Sequence, residues 1–147
     1  MGFFGGIKST FKKSEAAVVI QNLLEHHARI GLLPVPADPA KTANALVQAA
    51  WDDMPDVFSG KFGQRPHKLA VAATALGLCV MGIPATHPHR PTLVLCLGTV
   101  LSEVQKNGRL YPLNGIDDQL LEAAYTAFML AQEQPTADDE AADPAHA

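Results

Sequence analysis

Apolar residues recur at three-and-four spacing along most of this chain and nowhere alternate strictly with polar ones, so the pattern predicts helices and no strands. Five helical segments follow. The first opens on Ser14 as N-cap, carries Val18, Val19, Ile20, Leu23, Leu24 and Ile30 on a wide face, and stops at Gly31, because glycine adopts the left-handed conformation of a helix end at little cost. Pro34 and Pro36 then impose an extended connector. Asp38 followed by Pro39 supplies an N-cap and a first-turn proline for the second helix, whose stripe is Ala43, Leu46, Val47, Ala50, Trp51 and Met54.

Beyond Pro55 a glycine-bearing loop runs through residues 59–65, and Pro66 is placed to start a third helix that reaches Gly82. This helix is apolar nearly all round, which predicts a central position. Ala70, Ala73, Thr74 and Gly77 are small enough to let neighbouring helices come close. A proline-broken turn over residues 84–91 leads into the fourth helix through Leu93, Leu97, Val100, Leu101 and Val104, which ends near Asn107 and Gly108. The third and fourth helices should form an antiparallel hairpin. After Pro112, either Asn114 or Asp117 caps a last helix holding Leu120, Leu121, Ala124, Phe128 and Ala131. Past Pro135 no large apolar residue remains to offset the entropy of ordering.

The fold expectation is therefore all-α: one compact domain of about five helices over residues 14–134, around a central antiparallel hairpin. A short amphipathic segment (1–13) precedes it and a disordered acidic tail (135–147) follows. The chain has 147 residues, of which 48% are hydrophobic, enough for a core without disulfide or metal staples. Its longest apolar run, residues 69–83, would rise about 22 Å as a helix against the roughly 30 Å of a bilayer's hydrocarbon, so it reads as a core helix. Fifteen acidic against eleven basic residues give a net charge of −4, which argues against general nucleic-acid binding. Two cysteines, Cys79 and Cys96, form neither a secreted disulfide framework nor a zinc pattern, and the basic residues near the N-terminus follow the apolar ones, the reverse of a secretory signal. A cytoplasmic setting is expected.

Four features bear on function. Phe3, Phe4, Ile7 and Phe11 fall on one helical stripe beside Lys8, Lys12 and Lys13, a pattern suited to covering the chain's own core, filling a partner's groove or resting on an anionic membrane. Between Asp56 and Glu103 no acidic residue occurs. An antiparallel hairpin would there bring Lys106 and Arg109 beside Lys61, Arg65, His67 and Lys68, around a helix N-terminus that favours anions such as phosphate. Solvated loop charges explain the same residues more simply. His26-His27 diverge by about 100° on a helix, and His87-Pro88-His89 lacks a third ligand, so no metal or other cofactor is expected.

Cys79 and Cys96 share a layer of the hairpin and read as buried hydrophobes. Asp52-Asp53 and Asp117-Asp118 stand at a helix end and a helix start, ordinary positions for carboxylates. No catalytic residue is assigned. The sequence therefore points to a non-enzymatic helical protein-interaction domain that holds a protein partner or a second copy. The alternatives are a small anion- or phosphate-binding domain or enzyme using the basic cluster, and a peripheral membrane protein attached through its N-terminus.

Overall fold

The computed structural model describes the backbone of residues 2–61 and 63–133, with side chains from residue 13 onward. Every regular element among them is helical: α1 (Gly2–Ile30), α2 (Pro39–Asp53), the single turn α3 (Pro55–Phe58), α4 (Lys68–Gly82), α5 (Arg90–Asn107), a 3-10 turn over Gly108–Leu110, and α6 (Gly115–Glu133). The all-α expectation holds, with one short helix more than the pattern revealed. The acidic tail expected over 135–147 lies outside the described residues.

The apolar character of α4 decides the architecture, because a helix without a polar face must be covered from several sides. Leu69 through Gly77 are all buried. α6, α5, α1 and α2 each pack on α4, and α1 also packs on α2 and α5. The four helices thus form a sleeve around α4 in the order α6, α5, α1, α2, with α2 and α6 at its two edges. α4 and α5 make the antiparallel hairpin. α6 starts beside the start of α4 and runs alongside it in the same direction, with its Ala124 and Ala127 against Gly77.

Several element ends match the sequence signals. Gly31 has φ 73° at the end of α1, and the Asp38 carboxylate accepts from the Lys41 amide at 3.1 Å at the start of α2. Three ends differ. Ser14 lies inside α1 rather than at its start, since residues 11–17 contain no breaker and lengthening a helix is easier than nucleating one. α4 begins at Lys68, two residues after Pro66: His67 is extended (ψ 151°), and its ring Nδ1 accepts from the Leu69 amide at 3.1 Å, so the histidine is the cap. Gly108 keeps a right-handed φ of −56°, and α5 tightens into the 3-10 turn instead of stopping on a left-handed glycine.

Two glycines record how closely the sleeve is drawn. A methyl group on Gly77 would meet Ala127 Cβ at 3.5 Å, an ordinary contact, whereas one on Gly98 of α5 would meet the Phe128 ring at 2.9 Å. Gly77→Ala is therefore expected to raise stability by up to about 1 kcal/mol through helix propensity. Gly98→Ala gains the same propensity but must displace Phe128, and is expected to be neutral to about 2 kcal/mol destabilising. Urea titration of the two variants tests the contrast; equal gains from both would show that Phe128 does not sit over Gly98.

Candidate functional site

The sleeve leaves one sector of α4 uncovered, between α2 and α6. Leu78 and Met81 project there with 42% and 47% of their surface exposed. On one side of this ridge a groove of about 350 Å³ runs between α4 and α6, floored by Gly77, Ala124 and Ala127 and edged by Leu130, itself 42% exposed. On the other side a second groove, of about 440 Å³, runs between α2 and α4 past Leu46, Ala49, Cys79 and Ile83. The floors are nearly all carbon because the helix faces that meet there are built from alanine, glycine and leucine. Asp53, exposed at the C-terminal end of α2, borders both grooves and is the one charged residue lining them.

The charges on α6 and at the end of α2 are all negative. α6 carries Asp117, Asp118, Glu122 and Glu133 and no lysine or arginine, and α4 has no charged side chain after Lys68. Asp52 and Asp53 close α2. Glu122 is exposed one helical turn before Thr126, which lines the α4/α6 groove. An apolar double groove with an acidic rim is complementary in composition to an apolar segment that carries positive charge.

The start of α4, where the sequence gathered its basic residues, is held instead by a buried carboxylate. Asp117 has no exposed surface. Its Oδ1 accepts from the His67 amide at 2.6 Å and its Oδ2 from the Asn114 amide at 2.9 Å. Asn114 returns the bond: its Oδ1 accepts from the Asp117 amide at 3.1 Å, and its Nδ2 donates to the Arg65 carbonyl at 3.1 Å. Asn114 is thus the N-cap of α6 and Asp117 the third helical residue of a reciprocal capping box. The box also grips the chain entering α4. The negative charge that the start of α4 favours is supplied from within the protein.

The hairpin ends do meet at this point, since the His67 and Tyr111 rings lie 5.3 Å apart. The cations there are interleaved with acids. Lys61 pairs with Asp56 at 3.6 Å on the surface, and the Arg65 side chain lies against Gly60. Lys106 and Arg109 are exposed and Lys68 is half-exposed. Glu103 accepts from the Tyr111 hydroxyl at 2.6 Å and from Asn107 at 3.1 Å. The Tyr111 bond, aided by Asn107 and nearby Lys106, holds the Glu103 carboxyl below the usual range, and the same bond pushes the Tyr111 phenol up.

The remaining sequence candidates fall elsewhere. Phe3, Phe4, Ile7 and Phe11 lie on backbone that belongs to α1, but their side chains are outside the described residues. His26 is exposed and His27 half-buried, with ring centroids 5.7 Å apart. The His87 ring accepts from the His89 amide at 3.0 Å, a turn-closing role. Among the described residues no three histidine, cysteine, aspartate or glutamate side chains come together as a metal site would need. Both thiols are free; burial pushes Cys96 up to about 12 and also raises Cys79, which lines the α2/α4 groove, so neither is poised as a thiolate nucleophile.

The open sector of α4 is what sequence reasoning missed. Its signal was the absence of any charge from Leu69 to Gly82, which says that every side wants a neighbour but not which side lacks one. No helix among the described residues is long and apolar enough to cross a membrane. No family model, curated protein or solved structure matches the chain.

Proposed function

We propose that the chain is a non-enzymatic helical interaction domain whose working surface is the uncovered sector of α4, and that it self-associates or holds a protein partner through it. The observation that carries this is the ridge of Leu78 and Met81, half-exposed on a helix that has no polar face, between two apolar grooves. Isolated exposed leucines are common on monomers. A contiguous apolar surface rimmed by charge is the ordinary composition of a binding patch. A helix laid along Leu78 and Met81 would complete the sleeve and remove these side chains from water, at about 25 cal/mol for each Å² of apolar surface covered.

Leu78→Asp tests this. Because Leu78 is already partly in solvent, the substitution is expected to change unfolding stability by no more than about 1 kcal/mol. On size-exclusion chromatography with light scattering, the unaltered chain at tens of micromolar is expected to run above monomer mass and the variant at monomer mass. A wild-type chain that stays monomeric, and a capture profile from cell extract that Leu78→Asp leaves unchanged, would refute the assignment.

A further inference from the structure

We infer that the double groove of one copy receives residues 2–12 of a second copy, so that two chains exchange the first turns of α1 reciprocally. This rests on the self-association proposed above and names its ligand. Three observations converge on it.

The first is length. α1 has 29 residues and α2, its main partner, has 15, so α1 rises about 43 Å against about 22 Å. Lys13 marks where their overlap ends: its ammonium lies 4.8 Å from the centre of the Trp51 ring and 3.5 Å from Gln48 Oε1, near the C-terminal end of α2. Residues 2–12 continue the same helix for about another 16 Å, past the end of α2.

The second is placement. Within the sleeve α1 stands between α2 and α5, across α4 from the uncovered sector. Because α1 is unbroken through residue 13, its first turns follow the axis set by the rest and do not fold back into their own chain's grooves. A second copy meets no such restriction, and a two-fold axis makes the exchange mutual and closed.

The third is chemistry. The grooves are apolar with acid at the rim, from Asp53 and Glu122, and no lysine or arginine follows Lys68 on α4 or occurs on α6. Residues 2–12 contain Phe3, Phe4, Ile7 and Phe11 at the spacing of one helical stripe, with Lys8 and Lys12 beside it and no acidic residue. Apolar stripe matches apolar groove and cation matches carboxylate. An amphipathic helix laid in a groove is a standard mode of recognition, and charge at its edge sets register and partner choice.

Reciprocal charge exchange in the full chain provides the test. One variant carries Asp53→Lys with Glu122→Lys, so that groove rim and segment are both positive; the other carries Lys8→Glu with Lys12→Glu, so that both are negative. Asp53 and Glu122 are exposed, and a circular dichroism melt of each variant checks that it folds. Each variant alone is expected to dimerise at least about tenfold more weakly than the unaltered chain, whereas an equimolar mixture regains the dimer, because each segment then meets a groove of opposite sign.

Phe3→Ser with Phe4→Ser is expected to give monomer that the mixture does not rescue. A wild-type dimer that Leu78→Asp disrupts but neither charge set affects would overturn the exchange and leave the α4 surface standing. A monomeric wild-type chain would overturn the exchange, and it would overturn the α4 surface as well only alongside a capture profile that Leu78→Asp leaves unchanged. A chain whose N-terminal phenylalanines matter only for binding to anionic phosphatidylserine vesicles would overturn the exchange alone, since the segment's ligand would then be lipid.

Discussion

Replacing Asp117 by alanine is expected to destabilise the fold by about 3–4 kcal/mol, among the largest effects of any single polar substitution in this chain. The carboxylate has no exposed surface and accepts two main-chain amides, from His67 at 2.6 Å and Asn114 at 2.9 Å. A hydrogen bond to a charged group is worth about 1.5–3 kcal/mol net, and deleting the acceptor leaves its donors to recover water at a partly buried junction. The bond from His67 joins elements 50 residues apart in sequence, the entry to α4 and the first turn of α6, while the bond from Asn114 closes the start of α6 itself. Their loss therefore loosens the contact between α4 and α6 and not merely a helix end.

Asp117→Asn keeps the shape and one good acceptor, and is expected to cost about half as much, because its amide nitrogen must face the second donor. Asn114→Ala removes the other half of the capping box and the bond to the Arg65 carbonyl. The double variant should then cost less than the sum of the singles, since both act through the same junction. Urea unfolding followed by far-ultraviolet circular dichroism measures each cost. A value below about 1 kcal/mol for Asp117→Ala would mean that the carboxylate is not the clasp between these two helices.

What the sequence disclosed about this fold divides by the range of the interaction. Asp38-Pro39, Gly31 and the stripe of α2 are local devices, readable wherever residue type meets helical spacing, and the structure carries them where the pattern put them. The central position of α4 was legible for the same reason, because an uncharged run of that length must be enclosed. The Asn114-to-Asp117 spacing is a capping box in plain sight, but that the carboxylate also holds the His67 amide is a fact of topology. The basic residues around α4's start illustrate the converse. Counting charges brought five cations and a histidine to one end, and only the fold shows Asp117 bound to the His67 amide, Glu103 bound to Tyr111, and Lys61 paired with Asp56.

The candidate surface was less legible still. Leu78 and Met81 look like every other apolar residue of α4, and they differ from Leu76 and Val80 only in that no helix was left to cover them. Periodicity shows how many sides of a helix need burial. How many neighbours arrive is decided by loop lengths and the order of packing, which no single segment encodes.

The second large effect is expected at Phe58, in the one helix that the sequence pattern did not reveal. α3 has four residues, too few for periodicity to register or for its own hydrogen bonds to hold it. Phe58 is nonetheless among the largest fully buried side chains, 1% exposed, and its ring packs on Trp51 with centroids 5.3 Å apart at 43°. Tilted ring pairs at this distance add to the burial energy, and phenylalanine-to-alanine changes in cores typically cost about 3–5 kcal/mol. Phe58→Ala is expected in that range and Phe58→Leu at about 1–1.5 kcal/mol, because leucine refills most of the volume.

Trp51 is the only tryptophan and is 7% exposed, so its fluorescence reports on the same site. The alanine variant should shift native emission to longer wavelength as water enters beside the indole, before any global unfolding. The consequence extends to the loop over residues 59–67, whose path from α2 to α4 begins from the position that Phe58 fixes. With that anchor gone, amide exchange should accelerate from Ser59 to His67 while the amides of α4 beyond its first turn keep their protection. Uniform acceleration through α4 would show instead that α3 is part of the core's single cooperative unit, and unchanged exchange together with a cost under about 1 kcal/mol would show that Phe58 anchors nothing.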